Sequence, residues 1–530
     1  MLARPVTAIF NLITKTSTWP ACWKVEYVTV IPKVKDPQQP SDCRNISCTN
    51  YLSKLYESFV LDWSREQVKP KQNQYGGEKG ASATQLLIEV LYDITSALED
   101  NRAAVVLSAI DFSKAFNRLD HQKCLQAFAD KGASTQILNL LASFLGGRTM
   151  TVKVEQERSA PRAVNAGAPQ GSVLGCYLFN IAIDELETGL SLSGQEQEEA
   201  HEETMTRTDD FPAASTPQRV RPTDTLNESP ISTRRPSFDI LPRVANVPPW
   251  IRRPKDPRYH EGSLNSYKYV DDNINTSKVN MKKAKLLVED NKFFKEVVDT
   301  RTQELLSHVA NKAEELGMAI NAEKTGLMLV SAATSFEART RLNLGGQTVL
   351  GKESLKVLGV TLEGDLSFQE HVDKIAAKTR SKSWALAKLK RKGLSEEKLL
   401  RAYKCLVRPS LEYAAPAWHS LLNATQAAHL ERQQTQCLKN IFGTGLSAAK
   451  LRKKAHLGTL FSRREEIVVK FAKKSLVNPR ISHWFSERPR PVYSRRPGVN
   501  YPKFREETVR TDRHRNTPRN YLIRKVNETV

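Results

Sequence analysis

The spacing of apolar residues in the first half of the chain predicts an alternation of helices and strands. Residues 83–98 carry apolar side chains three or four positions apart, as a helix with one buried face requires. Residues 103–110 are small or β-branched and mostly apolar and end at Asp111, which predicts a strand buried on both faces. Residues 149–154 alternate in a way that is typical of a strand. Further helices are predicted at 52–68, 122–146 and 173–186.

The second half of the chain becomes mainly helical. Regular patterns of apolar residues resume at Tyr267, after the segment 188–266 described below. They predict a charged helix over residues 281–317. Residues 319–331 and 355–362 predict strands, the second with a glycine inside it. From 368 to about 472 the spacing predicts mostly helix.

Residues 188–266 break this pattern sharply. They hold ten of the 26 prolines, an acidic Gln/Glu cluster and scattered arginines, with few apolar side chains. Such a segment cannot bury enough apolar surface to offset the entropy of ordering, so we expect it to be disordered. It is either an insertion between two parts of one domain or sequence that a spliced product would lack, and the sequence does not separate the two.

Composition and charge narrow the class of protein. The 530 residues suggest three or four structural units. A net charge of +22 favours a polyanionic partner, nucleic acid before membrane. No apolar run approaches the roughly 18 residues that a membrane-spanning helix needs, so we exclude a membrane protein. Seven cysteines, an odd number without CxxC spacing, argue against a disulfide framework and against a structural zinc site.

The two ends of the chain are basic. Residues 1–25 contain no acidic residue, and their composition loosely resembles an organelle transit peptide. Trp19 and Trp23 look like packing residues, however, and favour the start of a folded unit. From Arg488 to the end, twelve Lys and Arg stand against four Asp and Glu, together with several prolines. We therefore predict a flexible basic tail over residues 481–530.

Three short motifs carry the candidate chemistry. Asp111 opens the run Asp-Phe-Ser-Lys-Ala-Phe at the end of the buried strand. The paired acids Asp271 and Asp272 follow Tyr269-Val270 between strand-forming residues, which predicts a tight hairpin that presents both carboxylates. Residues 167–172, Gly-Ala-Pro-Gln-Gly-Ser, predict a turn that leads into an apolar helix.

Three carboxylates on two neighbouring strands would suit nucleotidyl transfer. That reaction uses two divalent ions roughly 3.5–4 Å apart, one at the attacking hydroxyl and one at the leaving pyrophosphate. Mg²⁺ prefers hard oxygen ligands. Without metal, such a cluster is strained by repulsion between like charges. Each motif alone is more often a solvated turn or loop, but their order and contexts together favour the metal site.

Together these motifs make the chain resemble the reverse transcriptase domain of non-LTR (LINE-type) retrotransposons. The resemblance covers most of residues 5–445 apart from the insertion. Five segments resemble that family's successive motifs: Asp111–Phe116 with His121, Gly167–Phe179, Tyr269–Asp272, Ile320–Thr325 and Leu358–Val360. Flanking matches lie upstream and downstream: Trp19, Trp23, Ile31–Lys33, Cys43–Ser47, Val407–Pro409, Tyr413, Pro416 and Trp418.

The resemblance implies a role for each matching residue. Asp111, Asp271 and Asp272 would be the catalytic metal ligands for Mg²⁺ or Mn²⁺. The nucleotide-binding residues would be Lys33 and Arg44 at the triphosphate, Gln170 at the incoming nucleotide and template, Phe116 as a steric gate against the 2′-hydroxyl, and Lys324 as a proton donor to pyrophosphate. Leu358 and Gly359 would belong to the primer grip.

Plainer interpretations of the lesser residues stay open. Phe116 could be a core residue, Lys33 and Arg44 solvated surface charges, and His121 a structural cap. Three positions depart from the family's usual residues, namely Asn45 for proline, Asn117 for aspartate and Cys176 for proline, and residues 74–78 are diverged. None of these departures removes a metal ligand.

The fold implied is α+β, a right-hand polymerase with fingers, an antiparallel-sheet palm and a helical thumb. The predicted division is fingers 1–100, palm 101–187 and 267–345 around the insertion 188–266, primer-grip hairpin 346–370, thumb and C-terminal region 371–480, and tail 481–530. The function implied is RNA-directed DNA polymerase, extending a DNA primer on an RNA template with deoxynucleoside triphosphates. Family analogy implies a nuclear or a cytoplasmic ribonucleoprotein location.

Two alternatives remain. The chain begins near the fingers pattern, so we expect it to lack the family's upstream endonuclease, and a truncated relic could bind nucleic acid without copying it. An RNA-copying RNA polymerase is disfavoured by Tyr269-Val270 before the paired acids and by Phe116 as a gate.

Overall fold

Helices and strands fill most of the computed structural model, which describes residues 2–99, 103–113, 115–154, 156–187, 264–269, 272–280, 291–331, 341–344, 346–487, 503–506 and 512–529. The described residues all belong to one unit, formed by Met1–Leu190 and Leu264–Val530. The predicted disordered insertion lies outside the described residues up to residue 263. Its last three residues, 264–266, lie instead in a strand.

The α-helices of the described residues are α1 Ala3–Thr16, α2 Tyr51–Gln67, α3 Ala83–Ala97, α4 Ala115–Arg118, α5 His121–Asp130, α6 Thr135–Leu145, α7 Leu174–Ile183, α8 Asn291–Glu315, α9 Gln369–Arg391, α10 Glu396–Ala402, α11 Arg408–Glu412, α12 Ala415–Trp418, α13 Ala424–Phe442, α14 Ala448–Ala455, α15 Leu460–Leu476, α16 Asp512–Arg515 and α17 Pro518–Asn527. None of them is long and apolar enough to span a membrane, within the part of the chain described.

The strands are β1 Val25–Pro32, β2 Cys43–Cys48, β3 Ala103–Ser113, β4 Arg148–Val154, β5 Glu157–Arg158, β6 Arg162–Val164, β7 Leu264–Tyr269, β8 Asp272–Asn280, β9 Ala319–Ile320, β10 Gly326–Ser331, β11 Arg341–Leu344, β12 Gln347–Leu350, β13 Ser354–Val357 and β14 Val360–Glu363. The predicted strands at 103–110 and 149–154 are confirmed as β3 and β4, and the predicted helices at 52–68 and 83–98 as α2 and α3.

One sheet forms the centre of the fold, with strand order β10-β3-β8-β7 and β9 attached to β3. All its pairings are antiparallel. On one face Val105, Leu107 and Ile274 pack in a cluster with the apolar side of α3. On the other, Ile110 packs with Phe179 of α7 and with α8. Helices on both faces keep β3 out of water, which explains its continuous apolar sequence.

A second sheet, of strand order β2-β1-β4-β5 with β6 on β4, joins segments from both sides of the predicted boundary at residue 100. Strand β4 lies in the segment assigned to the palm but pairs in parallel with β1 of the predicted fingers. A buried ion pair joins the same two strands, with Arg148 Nε 2.6 Å from Glu26 Oε1. This sheet therefore includes strands from both sides of residue 100, because strands distant in sequence pair in space.

Three elements that were each predicted as one continuous helix or strand are each two separate elements in the structure. The helix at 122–146 is two helices, because Gly132 takes a positive φ of +85° that ends α5. The strand at 319–331 is β9 and β10, separated by a turn. The strand at 355–362 is the hairpin β13–β14. Its turn residues Leu358 and Gly359 both have positive φ, 47° and 86°, the backbone that a two-residue hairpin turn requires.

The predicted flexible tail was also wrong for the residues described. Helix α17 packs against α15 and α3, and its side chains Leu522, Ile523 and Val526 are buried. The excess of basic residues suggested a flexible segment, but the apolar side chains of α17 recur at helical spacing among the basic ones and form one buried face. At the other end of the chain, Trp19 and Trp23 are buried as predicted.

The packing of the C-terminal region on α3 predicts a pH dependence of stability. Burial raises the pKa of Glu89 from 4.5 to about 7, although Trp484 Nε1 donates a hydrogen bond to this carboxyl group at 2.6 Å. The folded state then holds a proton that the unfolded state releases between about pH 4.5 and 7, so this group's contribution to stability falls as pH rises through that range.

We expect Glu89→Gln, whose amide oxygen still accepts from Trp484, to be stabilised relative to the native protein at pH 8 and not at pH 5. Thermal unfolding midpoints of both proteins at the two pH values check this. The same difference at both pH values would contradict the assignment.

Candidate active site

The register of the central sheet brings two of the predicted acids together. Strands β3 and β8 pair so that Asp111 lies directly opposite Asp272. Directly opposed residues in antiparallel strands have Cα atoms about 4.5–5.5 Å apart and side chains on the same face. The predicted hairpin is also present, since β7 and β8 pair with Tyr269 opposite Asp272. Asp271 lies outside the described residues.

The segment of the fourth motif surrounds the backbone of Asp111. The Asn321 N–H donates to the Asp111 carbonyl at 2.8 Å, and the Asp111 N–H donates to Thr325 Oγ1 at 3.4 Å. Lys324 Nζ lies 3.6 Å from Asp111 Oδ2, an ion pair rather than a hydrogen bond. Two of the predicted site residues, Asp111 and Lys324, therefore meet in the structure.

The carboxylate of Asp111 is held ready for a further ligand. Its side chain is 26% exposed, and its Oδ2 atom makes no hydrogen bond among the described residues, although the Lys324 ammonium lies 3.6 Å from it. A buried carboxylate oxygen in that state is costly unless a cation binds it. Hard anionic oxygens are the donors that Mg²⁺ and Mn²⁺ prefer. The described residues, which do not include Asp271, contain no group of three or more His, Cys, Asp or Glu side chains that could hold a metal ion.

The Gly167–Ser172 loop is fixed against the helix that carries Phe116. The Ala168 N–H donates to the Phe116 carbonyl at 2.8 Å. A Cβ on Gly167 would lie 2.7 Å from that same carbonyl oxygen, so only glycine fits. The carbonyl of Gly167 is in turn 2.8 Å from His121 Nε2, which supports the interpretation of His121 as a structural cap.

The other end of this loop is fixed against β2. The Ser47 N–H donates to the Gln170 carbonyl at 2.9 Å, and a Cβ on Gly171 would lie 2.5 Å from the Ser47 carbonyl oxygen. Arg44 lies three residues earlier on the same strand. Gly167 permits the close contact with Phe116, and Gly171 permits the close contact with Ser47. The spacing of the two glycines in the Gly167–Ser172 loop therefore follows from the positions of these two neighbours.

Phe116 is half-buried and stacks on Phe179 of α7, with ring centroids 4.6 Å apart and planes 23° apart. It is therefore partly a core residue, as the plainer interpretation held, but part of the side chain stays accessible. The Gly167–Ser172 loop holds the backbone of Phe116 and Phe179 of α7 holds its ring. The position of the accessible part of the ring is therefore fixed.

Lys33 and Arg44 lie together, away from the central sheet. Arg44 is exposed on β2, opposite Ile31 of β1, and Lys33 is exposed just after β1, where its N–H donates to the Asp42 carbonyl at 2.7 Å. The hydrogen bond between the Ser47 N–H and the Gln170 carbonyl connects this hairpin to the Gly167–Ser172 loop.

Leu358 and Gly359 form the turn of a hairpin held by Tyr413. The Tyr413 hydroxyl donates to the Leu358 carbonyl at 2.8 Å, and a Cβ on Gly359 would lie 3.1 Å from the Tyr413 ring. The hairpin reaches the central sheet through Leu355, which packs over Gly326 of β10. Gly326 lies opposite Ala109, two residues before Asp111.

One supporting residue was missed by sequence reasoning. Glu57 is fully buried, and its Oε2 accepts hydrogen bonds from the Val173 and Leu174 N–H groups at 2.6 and 3.2 Å. It therefore caps the N-terminus of α7, directly after the Gly167–Ser172 loop. The available signal was a glutamate on the buried face of α2, between Tyr56 and Val60.

Comparison with known proteins identifies the class. Residues 31–203 match the family described as reverse transcriptase (RNA-dependent DNA polymerase). The "Probable RNA-directed DNA polymerase from transposon BS" of Drosophila melanogaster is 29% identical over 178 residues, 33% of this chain and 19% of the relative. The RNA-directed DNA polymerase from mobile element jockey of the same fly is 24% identical over 419 residues, 76% of this chain and 36% of the relative.

Among solved structures, apo telomerase from Candida tropicalis, truncated from the C-terminal domain, aligns with a TM-score of 0.33 and 12% identity. That alignment covers 67% of this chain and 57% of that one.

The mixed helix-and-sheet fold together with the family match defines a polymerase fold of the reverse transcriptase class. Residues 31–203 are similar to the reverse transcriptase family, and the curated relatives are RNA-directed DNA polymerases of transposons and mobile elements, so the resemblance predicted from the motifs is confirmed. It spans about a fifth to about two fifths of the length of the curated relatives it matches.

Proposed function

We propose that this chain catalyses RNA-templated DNA synthesis, extending a DNA primer with deoxynucleoside triphosphates. The observation that carries the proposal is the pairing of Asp111 with Asp272 at the end of the two central strands; Asp271 is the residue directly before Asp272 in the sequence. Three carboxylates converging there would form one metal site. The polymerase relatives whose names describe this activity give the reaction its class.

In this proposal the chain is a right-hand polymerase. The sheet β2-β1-β4-β5 with β6 would belong to the fingers, and the central sheet would be the palm. The hairpin β13–β14 would be the primer grip, with Leu358 and Gly359 at its turn. The helices from α9 onward would form the thumb. This division differs from the sequence-based one in assigning β4 to the fingers.

Asp111, Asp271 and Asp272 would hold the divalent ions, Mg²⁺ or Mn²⁺. When bound, the ions would supply activation of the primer 3′-hydroxyl and stabilisation of the leaving pyrophosphate. The Oδ2 atom of Asp111, which makes no hydrogen bond among the described residues and has only the Lys324 ion pair, fits such a ligand. Lys324 would orient Asp111 through the ion pair and could give a proton to pyrophosphate, since 67% of its side chain is exposed and can reach substrate.

The incoming nucleotide would bind between the loop and the β1–β2 hairpin. Lys33 and Arg44 are exposed at one end of that hairpin, as binding of a triphosphate requires. Gln170 would contact the nucleotide and template, because its carbonyl accepts the Ser47 N–H and so fixes its backbone against β2.

The outer surface of α9 offers a binding surface for nucleic acid. Arg380, Trp384 and Lys388 recur at helical spacing and are exposed, and Lys388 Nζ lies 5.3 Å from the centroid of the Trp384 ring. Basic side chains around an exposed aromatic ring suit phosphate and base contacts. With a net charge of +22, we propose an RNA template and a DNA primer as partners, bound with salt-sensitive affinity.

The experiment is extension of a labelled DNA primer on an RNA template, with each of Mg²⁺, Mn²⁺ and a chelator. Metal-dependent incorporation of deoxynucleotides would support the proposal. Binding of template–primer without extension by the folded protein would contradict it and favour the nucleic-acid-binding relic.

The steric gate gives a separate prediction. Phe116→Ala should raise the ratio of ribonucleotide to deoxynucleotide incorporation by about 10-fold or more, because the ring would no longer exclude the 2′-hydroxyl. Competition between the two nucleotides in single-nucleotide extension measures the ratio. Phe461→Ala, another accessible phenylalanine on α15, is the matched control. An unchanged ratio in the folded Phe116 variant would remove the gate from the proposal.

A further inference from the structure

A fully buried lysine anchors the strand that leads into the catalytic hairpin. Lys268 is the penultimate residue of β7, and its Nζ lies 3.1 Å from Oδ1 of Asp184, whose side chain is also fully buried. Asp184 directly follows α7. Its other oxygen, Oδ2, lies 3.2 Å from Lys131 Nζ and accepts the Lys71 N–H at 2.9 Å.

A buried ion pair of this kind is a poor means of gaining stability alone. Removing both charges from water costs about as much as their attraction returns, and an apolar pair of similar volume is often at least as stable. What the pair does provide is a single geometry, because the ammonium group must meet the carboxylate. Lys268 lies only three residues before Asp271, so a fixed position of Lys268 restricts where the strand that leads to the acidic pair can lie.

The backbone of Lys268 is fixed as well. Its N–H donates to the Asn73 carbonyl at 3.0 Å, and the Tyr75 N–H donates to the Lys268 carbonyl at 2.8 Å. Asn73 Nδ2 also donates to the Ser266 carbonyl at 2.9 Å. Strand β7 is therefore held on one edge by β8 and on the other by residues 73–75.

Residues 71–80, which we name the bracing segment, are themselves fixed by two distant parts of the chain. Asn180 Nδ2 of α7 donates to the Gly76 carbonyl at 2.7 Å. Arg480 donates to the carbonyls of Gln72 and Gln74, the second at 2.7 Å, and its guanidinium lies over the Tyr75 ring at 5.3 Å. The bracing segment thus links α7 and the C-terminal region to β7.

We propose that Lys268 is a positioning residue that, through Asp184 and the bracing segment, fixes the catalytic hairpin relative to Asp111. The proposal rests on the proposed function, because it concerns the placement of the same carboxylates. A hairpin released from this anchor would still bind template, primer and nucleotide through groups elsewhere. Its carboxylates would be misplaced, and misplacement by about 1 Å can cost about 100-fold in rate.

The test compares Lys268→Met with Lys131→Met. Both substitutions remove a lysine from Asp184 and keep the side-chain length, but Lys131 lies at the end of α5 and not on the hairpin strand. Asp184 keeps Lys131 and the Lys71 N–H in the first variant. We expect Lys268→Met to lower kcat for primer extension about 100-fold, with the KM for deoxynucleotide nearly unchanged and a higher half-saturating Mg²⁺ concentration. Lys131→Met should stay close to the native kcat.

The double variant Lys268→Met with Asp184→Asn separates positioning from stability, and it serves if Lys268→Met alone folds poorly. A merely structural ion pair predicts that removing both charges restores both the unfolding midpoint and kcat. A positioning role predicts that the midpoint recovers while kcat stays low. Native kcat in any folded Lys268→Met protein would overturn this inference and leave the proposed function standing, whereas an inactive native protein would contradict the proposed function instead.

Discussion

Replacing Asp111 by asparagine should lower the rate of primer extension by about 1000-fold while the protein stays folded, a loss of roughly 4 kcal/mol of transition-state stabilisation. The substitution keeps the size of the side chain but removes the negative charge that a divalent cation needs. The backbone contacts of Asp111 with Asn321 and Thr325 do not depend on that charge. The measurement is single-turnover extension at saturating Mg²⁺, with the thermal unfolding midpoint as the check on folding.

Asp130→Asn is the matched control for this variant. Asp130 is exposed at the end of α5, and an asparagine oxygen there can still accept the hydrogen bond from Gln126. We expect the same loss for Asp271→Asn and Asp272→Asn as for Asp111→Asn, and none for the control. Extension at the native rate by a folded Asp111→Asn protein would refute the two-metal proposal.

The second large effect concerns stability. Glu57→Ala should lower the free energy of unfolding by about 3 kcal/mol, because the buried N–H groups of Val173 and Leu174 lose a charged acceptor. Ser53 Oγ, 3.1 Å from Glu57 Oε1, loses its acceptor as well. Urea unfolding followed by circular dichroism measures this. Glu57→Gln, which keeps one acceptor, should lose less.

Glu66→Ala is the control for the stability experiment, since Glu66 is exposed on the same helix α2. Surface substitutions of that kind usually change stability by no more than about 0.5 kcal/mol. Equal losses in the two variants would mean that Glu57 does not cap α7. Because α7 follows the Gly167–Ser172 loop, Glu57→Ala should also weaken nucleotide binding at temperatures where it remains folded.

Local sequence was sufficient wherever the determining interaction is local. The apolar run of β3, the helical spacing of α3 and the hairpin before Asp272 are each encoded within about fifteen residues. Motif order was sufficient for the family, because the acids and glycines of such a site must recur at fixed places along the chain.

Sequence reasoning failed where a contact joins distant residues or where one residue breaks an element. Gly132 divided a predicted helix, and Leu358 with Gly359 turned a predicted strand into a hairpin, since both changes depend on positive φ angles that an apolar pattern does not reveal. The pairing of β4 with β1 and the packing of α17 on α3 both join segments more than a hundred residues apart.

The sequence by itself determined the identity of the chemical groups: three acids, a glycine-limited loop and a basic chain suited to nucleic acid. Only the tertiary structure decided that Asp111 lies opposite Asp272, that Glu57 caps α7, and that Lys268 is buried against Asp184. The physical reason is that side-chain chemistry is a property of each residue, whereas strand register and burial of charge are fixed by the whole set of long-range contacts that form together on folding.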